Sequence, residues 1–387
     1  MQAVILAGGK GTRLHPLTSS TPKPMVNLFD KPVLEHTIEL LKQHGIRDIV
    51  ITLAYKADQI INYFGGGTKW GVNIQYALED VPKGTAGGLR SLQPVLSNTF
   101  VVISGDAVTD FDLSSALSFH RQKSAIATML LYSVDDPSQF GIVETQPDGK
   151  IQRFLEKPKP TETFTNTVNT GIYILEPELI NWIPFETVYD FSRDLFPRLL
   201  QNQEPFYAVR AEGYWCDVGN LAQYRNVHFD AMTGKVKLNI PGAQVTDGLW
   251  LGQDASVHPS VRLVSPLYVG SGTCIEKDAE LGRFAVVGNM SLIREKAQVA
   301  QSVIGARTMV GQNSQVFGSV LGNGYRLADG RHLDDEIVVP DDSSSELRAD
   351  IDSRHLSPVL TDSQVIAWSG LEVLRLANME SSRALAA

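Results

Sequence analysis

Two different periods of apolar residues divide this chain. Over residues 1 to about 110, short apolar runs alternate with amphipathic stretches. Met1 to Ile5, Asp48 to Leu53 and Phe100 to Ser104 read as buried strands. Between the first two, Val33, Leu34, Ile38 and Leu41 recur at helical spacing, with Gly45 as a stop, and Ala57 to Phe64 reads as a further helix. Strand, helix and strand in repetition predict a parallel sheet covered on both faces. Such sheets bind ligands beyond the carboxyl ends of their strands. From about residue 125 the pattern turns to strands and hairpins, including a turn at Pro147-Asp148-Gly149.

After residue 245 the period changes. Leu251, Val257, Leu263, Val269, Ile275, Leu281, Val287, Ile293 and Val299 fall six apart, and after a register shift Ile304, Val310 and Val316 continue the series. Neither a helix nor an ordinary strand has this period. It predicts a hexapeptide-repeat β-helix in which each turn stacks its apolar corner on the next, and it resembles the left-handed form. The expected domains are therefore an α/β unit over 1–240 with a mixed, mostly parallel sheet, and a β-helix over 245–333. An acidic, serine-rich linker and a helical segment would fill 334–387. That segment, centred on Ser363 to Leu385, is expected to cap the open end of the β-helix or to form a tail.

Composition narrows the partners. The 387 residues carry a formal net charge of −9, which argues against a nucleic-acid binder or a ligand of anionic membranes. Two cysteines, Cys216 and Cys274, supply no disulfide framework and suit a reducing cytosol. The first residues have neither a basic region nor a long apolar run, and no stretch has the length of a membrane span, so a cytoplasmic protein is expected. An anionic substrate must then be met by a local cluster of cations.

Such a cluster follows the first strand. Leu6-Ala7-Gly8-Gly9-Lys10-Gly11-Thr12-Arg13-Leu14 puts three glycines where a strand ends, so several backbone N–H groups can line one concave surface. Arg13 offers a fork of donors and Lys23 a mobile point charge. The ligand this predicts is a polyphosphate. The spacing fits neither Gly-x-Gly-x-x-Gly, since position 14 is Leu14, nor the P-loop pattern.

The longer string, with Pro16-Leu17-Thr18 and Pro22-Lys23-Pro24 after the loop, resembles the signature of the sugar-1-phosphate nucleotidyltransferases. The resemblance covers about residues 1–240 and 245–330, and the arrangement looks like the mannose-1-phosphate guanylyltransferases that bear a β-helix. It implies that Leu6, Ala7, Gly8, Gly9, Gly11, Thr12, Gly84 and Thr85 bind the nucleotide. It also implies that Asp106, in Gly105-Asp106 at a strand end, and Asp217, in Trp215-Cys216-Asp217-Val218-Gly219, hold Mg²⁺, an ion usually bound by one or two carboxylates plus substrate phosphates. Glu156 and Lys157 match a Glu-Lys-Pro motif whose Glu contacts sugar hydroxyls and whose Lys contacts the sugar phosphate. Gly141, Asn169 and Thr170 match segments lining the sugar pocket, with Phe140 where the family usually has Tyr.

Glu79 stands where thymidylyl and uridylyl enzymes often carry Gln. A carboxylate only accepts hydrogen bonds, so it suits the two adjacent donors of guanine better than a pyrimidine edge. The expected substrates are thus GTP and mannose 1-phosphate, with Arg13, Lys23 and Lys157 catalytic and the β-helix serving self-association into a homo-oligomer. The alternatives are a glucose-1-phosphate nucleotidyltransferase using dTTP or UTP, or a non-catalytic regulatory homologue. A second, acyltransferase activity in the β-helix would need a supported catalytic histidine, and His258 sits in a turn without a supporting motif.

Overall fold

The computed structural model describes residues 1–9, 11–340 and 366–367. They form two compact units. The first comprises Met1–Arg13, Ser20–Val26 and Pro32–Gly219; the second comprises Leu14–Ser19, Asn27–Lys31 and the residues from Asn220 onward.

Burial on both faces shapes the first unit. Ala3 and Ile5 of the strand Gln2–Leu6 pack in one layer with Leu34, Ile38 and Leu41 of the helix Val33–Gln43. Val4, between them, packs in the opposite layer with Val50, Leu89 and Val102. A strand that must be apolar on both sides reads as an unbroken apolar run, and each such side chain contributes about 1.5–3 kcal/mol when fully buried. The sheet runs Ile151–Glu156, Gly141–Thr145, Thr167–Leu175, Phe100–Ser104, Gln2–Leu6, Asp48–Leu53, Asn73–Leu78. Ala127–Ser133 also pairs with Thr167–Leu175 and carries Phe206–Arg210 on its other side. From Phe100–Ser104 to Asn73–Leu78 the neighbours are parallel. Thr167–Leu175 enters antiparallel, and the strands that follow residue 125 build this second half.

Register sets where the loops emerge. Leu6 lies opposite both Thr52 and Ser104. The glycine loop after Leu6 and the Gly105-Asp106 turn therefore leave the sheet side by side, at the carboxyl ends of its strands. Gly105 N–H donates to the Leu6 carbonyl at 2.9 Å, fastening the second turn to the first.

The second unit contains the β-helix, three parallel sheets built of very short strands. One sheet stacks Leu251, Val269, Val287, Ile304, Leu321 and Val338 in register. Its first two steps are 18 residues and its later steps 17. The missing residue is always lost at the same corner, in the five-residue steps Val299 to Ile304, Val316 to Leu321 and Leu333 to Val338. This accounts for the register shift seen in the sequence. It also carries the coils to Ile337–Val338, beyond residue 333 and into the stretch expected to be linker, because a five-residue step hides the hexapeptide period. Buried hydroxyls line all three corners; at one of them Ser314 donates to the Ala328 carbonyl and accepts the Arg331 N–H. Thr273, Ser291 and Thr308 form one ladder, and Ser302 and Ser319 another; each hydroxyl donates to a carbonyl, and Thr273, Ser291, Ser302 and Ser319 also accept a backbone N–H from the next coil. The turn Phe29–Asp30 belongs to this unit, where the Asp30 carboxylate accepts from the Tyr268 hydroxyl at 3.0 Å and from Asn289 N–H at 2.9 Å.

The helix expected near the C-terminus lies outside the described residues, except that Ile366–Ala367 are placed as a strand antiparallel to Ser256–Val257. Among the described residues no helix is long and apolar enough to cross a membrane.

Candidate active site

The first unit brings four of the expected charged residues into contact. Lys23 lies in a single 3-10 turn, Lys23–Met25, and its side chain is only 8% exposed. Its ammonium donates to Asp106 Oδ2 at 2.6 Å and to Asp217 Oδ1 at 3.0 Å. Arg13, 63% exposed, reaches Asp217 Oδ2 with Nη2 at 3.4 Å. Asp106 and Asp217 are far apart in sequence, but the strands Ala107–Thr109 and Trp215–Asp217 pair antiparallel with Ala107 opposite Asp217. That small sheet is what brings the two carboxylates together.

Their protonation follows from the contacts. Burial alone would lower the pKa of Lys23, but the two carboxylates outweigh it and hold the ammonium above its ordinary value. Burial would raise Asp106, yet Lys23 and the Ser104 hydroxyl, which also donates to this carboxylate, keep it below the ordinary range. Both groups are thus charged at neutral pH.

The donor set fits Mg²⁺. Two carboxylates near enough to share one ammonium can share one cation, and this ion commonly completes its shell with water and substrate phosphate. Among the described residues no cluster of three or more His, Cys, Asp or Glu side chains gathers to hold a metal. A metal at this pair would therefore draw its remaining ligands from substrate or solvent.

The loop residues take different positions. Ala7 is buried and its N–H donates to the Thr52 carbonyl at 3.1 Å, whereas Gly9 and Thr12 are exposed beyond it. Leu6, Gly8 and Gly11 are partly buried. The segment 79–88 closes on itself: Glu79 Oε2 accepts the Lys83 N–H at 3.1 Å, and a Cβ on Gly88 would collide with Glu79 Oε1. Glycine at 88 is what lets this carboxylate lie over the backbone. Gly84 and Thr85, both exposed, open the short helix that follows.

On the antiparallel side, Glu156 lies opposite Gly141, where a Cβ would come within 2.7 Å of Glu156 Oε2 and 2.8 Å of the Phe154 ring. Burial pushes the Glu156 carboxyl up despite a hydrogen bond from Ser192 and the nearby Lys157. Lys157 is exposed, with φ +46°. Asn169 Nδ2 donates to the Tyr173 hydroxyl at 2.9 Å and its Oδ1 accepts Gly171 N–H at 3.0 Å. Thr170 is turned inward: its hydroxyl donates to the Leu130 carbonyl and its own carbonyl accepts the Trp215 indole N–H. Its part here is to brace the strands, and Phe140 packs edge-on against the same Trp215.

The structure adds residues that sequence reading missed. Asp190 Oδ2 accepts the Thr85 hydroxyl at 2.8 Å, and Oδ1 accepts Ser192 N–H at 3.0 Å. Thr85 in turn accepts Phe191 N–H. Asp190 therefore ties the Thr85 loop to the turn that carries Ser192, the partner of Glu156. In the sequence, Asp190 followed by Phe191-Ser192 carries only the signal of a helix cap, and Ser104 reads as the last residue of a strand.

Similarity to known proteins places the chain in a family. The family model described as nucleotidyl transferase matches residues 2–233. A UTP–glucose-1-phosphate uridylyltransferase from Synechocystis is 38% identical over 341 residues, 84% of this chain and 88% of its own length. A mannose-1-phosphate guanyltransferase from Yarrowia lipolytica is 33% identical over 353 residues, 88% and 96% of the two chains. Among solved structures, HddC from Yersinia pseudotuberculosis complexed with GMP-PN superposes with a TM-score of 0.51 at 28% identity, covering 58% of this chain and 96% of that one.

Proposed function

Because the chain belongs to the nucleotidyl transferase family and is a sugar-1-phosphate nucleotidyltransferase, we propose that it makes a nucleotide sugar from UTP and glucose 1-phosphate. The observation that carries the choice of base is the state of Glu79. One of its oxygens accepts the Lys83 N–H and the other lies over Gly88, so it offers a base fewer acceptor sites than a free carboxylate would. Uracil presents one N–H donor at its pairing edge and guanine presents two. The amide of Lys83 also offsets the charge that would repel the pyrimidine carbonyls. The identity to a uridylyltransferase supports the same choice. GTP with mannose 1-phosphate is the second reading, favoured by a carboxylate rather than an amide at position 79 and by the guanylyltransferase relative.

The reaction is an in-line displacement. A phosphate oxygen of the sugar 1-phosphate forms a bond to the α-phosphorus, the α–β bridging bond breaks, and pyrophosphate leaves with the electron pair. The attacking oxygen is already anionic, so no proton needs to be removed and positioning with charge neutralisation suffices. Arg13, exposed beside the glycine loop, grips the β and γ phosphates and stabilises the leaving pyrophosphate. Lys157 holds the sugar phosphate and Glu156 accepts from the sugar hydroxyls. Lys23 serves the nucleotide phosphates. Asp106 and Asp217 would hold Mg²⁺, which when bound would supply positive charge to the reacting phosphates.

The test is pyrophosphate release over a matrix of UTP, dTTP, GTP and ATP against glucose and mannose 1-phosphates. The highest kcat/KM is expected for UTP with glucose 1-phosphate. A maximum at GTP and mannose 1-phosphate replaces this reading with the second, and no release from any pair would refute both.

A further inference from the structure

The ammonium of Lys23 sits between the two carboxylates expected to hold the metal ion. We propose that Lys23 is the built-in counter-cation of the Asp106–Asp217 pair, and that a divalent ion binds there only by displacing it. The inference rests on the reading of this pair as the metal site. Nucleotide phosphate then takes over the displaced ammonium, so metal and nucleotide enter together.

Three observations carry it. The ammonium contacts one oxygen of each carboxylate, Asp106 Oδ2 at 2.6 Å and Asp217 Oδ1 at 3.0 Å, so it uses the oxygens that a bridging ion needs. The remaining Asp106 oxygen accepts the Ser104 hydroxyl and the remaining Asp217 oxygen faces Arg13. And among the described residues no third acidic side chain joins the group to balance a further charge. Two carboxylates thus already face two cations. A dication brought to the same oxygens at about 2.0–2.1 Å would lie against the ammonium, and like charges in contact repel even in water. Only a polyanion can relieve this, and a triphosphate is one: it offers Lys23 and Arg13 new charge-assisted bonds.

The consequence is an order of events. The free protein holds divalent metal weakly, while the nucleotide-bound protein holds it well. Lys23 thereby acts twice, keeping two neighbouring carboxylates together before substrate arrives and gripping phosphate afterwards.

The test uses the full-length protein and Mn²⁺ as probe, with free Mn²⁺ read by electron paramagnetic resonance. Asp217→Asn identifies the part of the signal due to this pair. Without nucleotide, Lys23→Met should bind Mn²⁺ about tenfold or more tightly than the unaltered protein. With a non-hydrolysable UTP or GTP analogue the gap should narrow to within about threefold. Equal or weaker binding by the variant without nucleotide overturns the displacement while leaving the metal site standing. Absence of an Asp217-dependent signal in every protein, with the analogue present, overturns the metal reading and the proposal together. If Lys23→Met does not fold, acetylation of Lys23 in the unaltered chain decides the question by mass spectrometry. Labelling should rise severalfold as Mn²⁺ occupies the pair, and unchanged labelling at occupancy overturns the proposal.

Discussion

Asp190 offers the sharpest probe of how the two halves of the site are joined. Its carboxylate makes two bonds: one from the Thr85 hydroxyl at 2.8 Å and one from Ser192 N–H at 3.0 Å. The first is solvent-accessible and is worth about 1 kcal/mol net; the second is a cap, worth about another 1 kcal/mol. Asp190→Ala should therefore lower the unfolding free energy by about 2 kcal/mol. Thr85→Val removes the shared bond and also the acceptor for Phe191 N–H at 3.0 Å, whereas Thr85→Ser keeps both. In a double-mutant cycle by urea unfolding, Asp190→Ala and Thr85→Val should couple by about 1 kcal/mol, since the bond between them can be lost only once. Thr85→Ser should restore stability to within about 0.5 kcal/mol of the parent. The same loosening should raise KM for the nucleotide more than it lowers kcat, because Thr85 lies in the loop assigned to nucleotide. A coupling below about 0.3 kcal/mol would mean that the two residues act independently and that the tie has no energetic weight.

Other outcomes follow from the same geometry. Asp106→Asn should cut kcat by two or more orders of magnitude in a pyrophosphate-release assay, with the circular dichroism spectrum unchanged. Gly141→Ala should raise KM for the sugar phosphate, because the added methyl would lie 2.7 Å from Glu156 Oε2 and force that carboxylate to move; unchanged kinetics would show that Glu156 does not touch the sugar. The folded-state pKa of Glu156 is raised by burial. Its contribution to stability is thus fully present at pH values below the ordinary carboxylate range and is lost as pH rises through the shifted value. Glu156→Gln should accordingly be more stable than the parent at pH 7 in urea unfolding, with the gap closing as pH falls through the carboxylate range. Truncating a coil residue such as Ile293, which is fully buried, to alanine should cost about 2–5 kcal/mol, read as a lowered melting temperature.

What could be read from the sequence depended on locality. The first strand, the helix after it and the coils of the β-helix declare themselves through apolar period, because each buries its residues against near neighbours. Gly105-Asp106 and Trp215-Cys216-Asp217 were identifiable only through family resemblance; nothing local says that Ala107 pairs with Asp217. Asp190 escaped because its bond to Thr85 spans 105 residues, and a cap-like Asp looks the same whether or not it has a distant partner. Thr170 was singled out by its place in a motif, and nothing local announces that its hydroxyl donates to the Leu130 carbonyl, 40 residues away. The coils past residue 333 were missed for an arithmetic reason, the five-residue step at one corner.

The hydroxyl ladders of the β-helix work as a ruler. Ser291 Oγ donates to a carbonyl 14 residues ahead and accepts an N–H 17 residues ahead, and Ser314 repeats both intervals. In the longer coil Thr273 makes the same pair of bonds at 15 and 18 residues, so a one-residue difference is taken up at the variable corner and the ladder continues beyond it. A whole coil added or removed likewise leaves the ladder intact. The rod can thus change length only in quanta of one coil, about 4.8 Å at a time, which gives an engineer or a lineage a way to resize it without rebuilding its core.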